Sequence, residues 1–159
     1  MVILGIDPGT KRIGYGLIKS KNRDIEFIDA GILKIKEEEP KNLLEIEKEL
    51  SKIIKKHKPS LAVIEKIYFM KNQKTAIEVA QARGIIINQI SKNRIKIIEC
   101  TPNEMKAAIT GYGFADKKAV FKMVKLILGL SEDIKMIDDA ADALAMAIFG
   151  ESNQRIVDK

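Results

Sequence analysis

A few acidic side chains in this sequence stand where they could hold a divalent cation. Asp7 follows directly on the apolar run Val2–Ile6, and Glu65 stands in the same position after Leu61–Ile64. A side chain at that place leaves a sheet at the C-terminal edge of its strand, where sites gather in open α/β folds. Further along, Asp139 and Asp142 are spaced i, i+3, while Asp138 is i, i+4 from Asp142. Either pair projects from one helix face. Each residue also has an ordinary explanation. Asp-Pro-Gly-Thr is turn chemistry, a glutamate at a strand exit is commonly just solvated, and an aspartate can cap the last helix. Spacing alone does not choose between Asp138 and Asp139.

Oxygen ligands with no nitrogen or sulfur among them suit Mg²⁺ or Mn²⁺ and not zinc. A pair of such ions, roughly 3.5–4 Å apart, can activate a water and stabilise the leaving oxygen of a phosphodiester. Little else in the chain competes for chemistry. The one histidine, His57, lies in the basic stretch KKHKPS at a helix end, and the one cysteine, Cys100, reads as a small buried hydrophobe closing a strand. A single cysteine excludes an intrachain disulfide and a cysteine-based zinc site.

The elements that must position these acids follow from periodicity. Val2–Ile6, Ile13–Ile18 and Phe27–Ile35 are apolar runs joined by turn residues, the pattern of an antiparallel meander. Leu43, Leu44, Ile46, Leu50, Ile53 and Ile54 recur at helical spacing. Leu61–Ile64 reads as a strand buried on both faces and Ile95–Ile98 as another apolar strand, with a helix over Thr75–Ile90 between them. Thr101-Pro102 starts a helix, Lys117–Leu128 forms another, and DDAADALAMAIF is the last. Three antiparallel strands followed by parallel crossovers give an α/β sheet. The small residues Ala140, Ala141, Ala143, Ala145 and Ala147 let the last helix pack close and push its aspartates toward the core. Gathering like charges there is unfavourable unless a cation neutralises them.

The chain has 159 residues, enough for one domain with a real core. The expectation is a single domain over residues 1–150 and a flexible C-terminal tail over 151–159. No apolar run reaches the roughly 18–20 residues of a membrane span, and the N-terminus lacks a basic lead and a cleavage site, which points to the cytoplasm. A net charge of +6 and a pI near 9.3 favour a polyanionic partner. On its own this is weak, because lysine-rich composition also arises in thermophiles.

With these residues in view, the sequence resembles the RuvC family of Holliday junction resolvases. GIDPGTKRIGYGLI, VIEKIYFMKNQKTAIEVAQARG and DDAADALAMAI are similar to its three signature segments, in the expected order, and the similarity covers nearly the whole chain. The DPGT segment alone is unspecific, since sugar kinases and actin-like ATPases carry similar turns, but this chain is too short for their two lobes. The shorter YqgF-like branch of the same fold shares the opening segment and lacks the DAADALA helix. A junction-binding protein that does not cut would have no use for four acids beside a polyanion.

The resemblance implies an RNase H-like fold with a five-stranded mixed sheet flanked by helices. It implies a homodimer that makes paired nicks in a four-way DNA junction, leaving 5′-phosphate and 3′-hydroxyl ends, and that works with a RuvA–RuvB branch-migration complex. Carried over residue by residue, it makes Asp7, Glu65, Asp139 and Asp142 the catalytic metal ligands, choosing Asp139 over Asp138. The implied cofactor is Mg²⁺, two ions per site, with Mn²⁺ able to substitute. Lys106 and Lys117 match basic contacts near the scissile phosphate, and Tyr68 or Phe69 matches an aromatic at the junction centre, with Tyr68 in the aligned position. Lys71, Asn72, Lys74, Arg12 and Lys11 lie near the same edge and could contact phosphates. Arg83 could touch DNA or fix the fold by pairing with an acid, the structural or interface role being the one expected, and the Gly111–Phe114 loop is expected to be mobile and to order on DNA.

Overall fold

Five strands alternate their side chains between two helical layers, and that alternation decides where the acids emerge. In the computed structural model, which describes residues 1–22, 24–66 and 73–157, with side chains from 76 to 154 in the last segment, the strands are β1 (Val2–Asp7), β2 (Arg12–Lys21), β3 (Asp24–Lys34), β4 (Leu61–Glu65) and β5 (Lys96–Cys100). The helices are α1 (Lys41–His57), α2 (Gln73–Lys92), α3 (Pro102–Thr110), α4 (Lys117–Ile127) and α5 (Asp138–Val157). The sheet order is β3-β2-β1-β4-β5. Neighbours β1, β2 and β3 run antiparallel, while β4 lies parallel to β1 and β5 parallel to β4. This is the mixed sheet expected from the sequence.

On one face, Ile3, Ile18, Leu61, Val63 and Cys100 pack against α3, α4 and α5. On the other, Leu4, Ile6, Leu17, Ala62 and Ile64 pack against α1 and α2 through Ile46, Leu50, Ile86 and Ile90. Successive residues of a strand point to opposite faces. The β1 series Ile3, Gly5, Asp7 and the β4 series Leu61, Val63, Glu65 therefore belong to the α5 side. Both acids end strands whose preceding side chains are buried.

Local signals explain the helix ends around the site. Thr101 caps α3 through a capping box, its hydroxyl accepting from Glu104 N and the Glu104 carboxylate accepting from Thr101 N, with Pro102 in the first turn. Gly111 closes the same helix at φ 79°. The Asp116 carboxylate accepts from Ala119 N at 2.7 Å and starts α4.

Several elements are longer than their apolar runs. Ladder pairing carries the β2–β3 hairpin out to Lys21 and Asp24, past its last apolar residues. Helix α5 continues to Val157, so the boundary expected after residue 150 falls inside it. Glu151, the first residue of the expected tail, is 4% exposed and accepts a hydrogen bond from Ser20 Oγ at 3.0 Å. That contact ties the start of the polar segment to β2, which hydropathy alone does not register.

Candidate active site

The C-terminal ends of the parallel strands form one row. Asp7 is paired with Gly14 of β2, the register of β1 with β4 runs through Ile6 and Ile64, and Glu65 is paired with Cys100. Asp7 and Glu65 thus occupy the next position on neighbouring strands and face the same helix. They line a cleft of about 300 Å³ together with Asp142, Lys106, Lys117 and Cys100.

Helix α5 reaches this row because the sheet has no side chains in its way. A Cβ at Gly5 would collide with the Ala143 carbonyl, one at Gly16 with the Leu144 backbone, and one at Gly14 with the Asp139 carbonyl. The glycines of β1 and β2 form a groove, and Ala140, Ala143 and Ala147 of the helix are fully buried in the contact region. Backbone meets backbone, and the first turns of α5 arrive beside Asp7. The contact also separates the aspartates: Asp139 and Asp142 are half-buried, whereas Asp138 is exposed.

Burial, and after it the crowding of like charge, sets the electrostatics. The Asp7 carboxyl is pushed up from 3.8 to about 7, first by burial and then by Glu65, Asp142 and Asp139, with Lys117 opposing. Glu65 is also raised, by burial and then by Asp142, again against Lys117. Two cations answer the helix aspartates. Lys117 Nζ lies 3.1 Å from Asp142 Oδ2, and Arg12 Nε lies 3.4 Å from Asp139 Oδ2. The Cys100 thiol is pushed up to about 12, by burial and then by Glu65 and Glu104. It stays protonated and serves as apolar floor.

The donor set fits a hard cation by chemistry: carboxylate oxygens only, on half-buried residues near one strand edge. Among the described residues, however, no three acidic, histidine or cysteine side chains are already gathered into a cluster able to hold an ion. Asp139 and Asp142 are paired with Arg12 and Lys117 instead, and an ion held by these two carboxylates would have to displace those partners.

The remaining residues fall into place unevenly. Lys106 and Lys117 line the cleft. Tyr68, Phe69, Lys71 and Asn72 lie outside the described residues. Lys11 pairs with Glu38 at 2.8 Å rather than standing free. Arg83 pairs with Glu99 and also donates through Nε to the Glu65 carbonyl oxygen at 3.2 Å. It grips the exit of β4 from the α2 side. Sequence reading missed the sheet half of the close packing. Its signal was present as glycines at alternate positions, Gly14 and Gly16, opposite Asp7 and Gly5.

The chain matches the family described as "Crossover junction endodeoxyribonuclease RuvC" over residues 3–150. It is 47% identical over 149 residues to the crossover junction endodeoxyribonuclease RuvC of Petrotoga mobilis, spanning 92% of this chain and 91% of that one. It is 45% identical over 158 residues to the enzyme of the same name from Brachyspira hyodysenteriae, spanning 98% and 97%. The solved structure of T. thermophilus RuvC in complex with a Holliday junction substrate superposes with a TM-score of 0.91 at 26% identity, over 99% of this chain and 96% of that one. The fold is RNase H-like.

Proposed function

This chain belongs to the RuvC family and is a Holliday junction resolvase, a crossover junction endodeoxyribonuclease; from that premise we propose that it cuts with Asp7, Glu65, Asp139 and Asp142 as the ligands of its divalent cations. Divalent-metal dependence comes with the family. Two Mg²⁺ ions per site, replaceable by Mn²⁺, belong to the proposal.

The observation that carries the assignment is the burial of Asp7 among three other acids. A carboxyl raised to about 7 by burial and three neighbouring acids has its charged form held at a cost. A bound cation reverses the sign of that neighbourhood. When bound, the cation supplies activation of a water and stabilisation of the leaving oxygen. The chain's own residues do the rest. Asp7 and Glu65 are fixed by strand ends, and Asp139 and Asp142 are delivered by a helix seated in a glycine groove. Lys106 and Lys117 neutralise phosphate at the mouth of the cleft.

In this reading two copies form a symmetric dimer, so that like-polarity strands of one junction are nicked in pairs, leaving 5′-phosphate and 3′-hydroxyl ends. Tyr68 or Phe69 acts at the junction centre, Lys71 and Asn72 contact its backbone, and the enzyme works in the cytoplasm beside a RuvA–RuvB complex. No helix among the described residues is long and apolar enough to cross a membrane.

A synthetic four-way junction tests this against a linear duplex of the same sequence, each with Mg²⁺ and with EDTA. Paired, ligatable nicks confined to the junction and dependent on the metal are expected. Equal cutting of the duplex, or cutting in EDTA, would overturn the proposal.

A further inference from the structure

The connection from α3 to α4 exposes two aromatic rings to solvent. Tyr112 is 62% exposed and Phe114 74%, with ring centroids 5.8 Å apart and planes tilted by 58°. Large exposed aromatics in contact with each other commonly mark an interaction site. The loop that carries them is held by its own bonds. Thr110 Oγ1 accepts from Tyr112 N at 3.1 Å and lies 3.0 Å from Tyr112 O, to which Ala115 N donates at 3.1 Å. Ala115 is buried and anchors the far end. Where the sequence points to a mobile loop, these bonds hold the backbone that carries the rings, which lowers the ordering cost of binding.

Their position identifies the occupant. The loop joins the two helices whose lysines, Lys106 and Lys117, line the cleft with Asp7 and Glu65. An aromatic surface between the two helices that carry these lysines matches a nucleic acid whose backbone phosphates lie on the lysines and whose bases meet the rings. Base pairs inside an intact duplex are stacked on both faces and offer the rings nothing. An unstacked nucleotide does.

We propose that Tyr112 and Phe114 form a stacking platform for a nucleobase exposed next to the cut phosphate, and that this contact helps the enzyme distinguish a junction from a plain duplex. The proposal rests on the resolvase reading above and adds a specificity contact to it.

The test compares wild type with the double variant Tyr112→Leu/Phe114→Leu, which keeps apolar bulk and removes the π faces, and with Tyr112→Phe/Phe114→Tyr, which keeps them. Binding to a four-way junction and to a linear duplex is measured in EDTA at several salt concentrations. The melting temperature of each variant is checked first, and it should hold because both rings are exposed. The leucine variant should bind the junction about tenfold or more weakly. Its duplex affinity and salt slope should be unchanged, since no phosphate contact is lost. The aromatic swap should restore junction binding. A 2-aminopurine beside the cut site should change fluorescence on binding wild type and not the leucine variant. Junction affinity within twofold of wild type, or equal weakening on junction and duplex, would overturn the platform. If wild type itself fails to prefer or cut the junction, the resolvase reading fails instead, and the two failures are distinct.

Discussion

Lys117 Nζ lies 3.1 Å from Asp142 Oδ2, on the wall of the cleft that also holds Asp7 and Glu65. This lysine lowers the proton affinity of both strand acids, and its own is raised by the hydrogen bond and charge of Asp142. It therefore does for the cation-free site part of what a metal would do. Lys117→Ala should bind Mn²⁺ several-fold more tightly in titration calorimetry, because a competing positive charge is gone. The same variant should cut the junction at least tenfold more slowly, through loss of its phosphate contact. Unchanged metal affinity would show that Lys117 and the ion do not share Asp142.

The shifted carboxyl of Asp7 makes stability depend on pH in a stated direction. Its folded value, about 7, lies above the ordinary 3.8. Between those values the unfolded chain has released the proton and the folded chain still holds it. The contribution of Asp7 to stability is therefore full below about pH 4 and is lost as pH rises to about 7, by at most about 4 kcal/mol for a shift of this size. In EDTA, Asp7→Asn should flatten that fall and exceed wild type in denaturant midpoint at pH 8. Added Mg²⁺ at pH 8 should raise the wild-type midpoint and leave the variant's nearly unchanged. A wild-type midpoint that rises from pH 5 to 8 in EDTA, relative to the variant, would contradict the burial of Asp7 among acids.

How much of this was legible in the sequence depends on which physics each residue obeys. Asp7 and Glu65 were readable because a polar residue ending an apolar run has only the strand edge to occupy. Asp138 and Asp139 were not separable by spacing, since both satisfy helical neighbourhood with Asp142. It is the seating of α5, through Gly14 against the Asp139 carbonyl, that leaves Asp138 exposed. Arg83 was legible as an ion-pairing residue but not as a ligand of the Glu65 carbonyl, because that bond joins α2 to the end of β4. The continuation of α5 past Gly150 leaves no mark in hydropathy, because Glu151 is polar and yet buried against Ser20 of β2. Pairings distant in sequence leave no periodic trace.

Arg83 predicts a separation of roles at the exit of β4. Its guanidinium joins the Glu99 carboxylate and the Glu65 backbone, which a shorter ammonium cannot bridge with the same fork. Arg83→Lys should keep the charge and lose the double contact. Junction cleavage should fall about tenfold through kcat, with junction affinity within about twofold of wild type, because the displaced group is Glu65 and not a phosphate ligand. Arg83→Ala should lower the melting temperature as well, since it leaves the partly buried Glu65 carbonyl without its donor. A loss of junction affinity as large as the loss of kcat would instead make Arg83 a DNA contact.

Gly14 gives the sharpest test of how the site is assembled. It lies opposite Asp7 in the β1–β2 ladder, and the space its missing side chain leaves is filled by the Asp139 carbonyl at the start of α5. The obstacle is backbone on both sides, so no side-chain rotation can relieve an added methyl. Gly14→Ala must lift the first turn of α5 off the sheet, and overpacking of this kind costs about 1–3 kcal/mol. Asp139 moves with that turn, while Asp142, one turn on, is held by Ala143 and Leu144 against Gly5 and Gly16. The variant should therefore remain folded, melt several degrees lower and lose most of its Mg²⁺-dependent cleavage. Its junction affinity in EDTA should be little changed. Gly111→Ala strains the backbone without touching the row of acids, because Gly111 holds φ 79° with open space beside it. It should lower the melting temperature by a similar amount and leave metal affinity intact. If Gly14→Ala bound Mn²⁺ and cut the junction as wild type does, the close approach of α5 would not be what delivers Asp139 to Asp7.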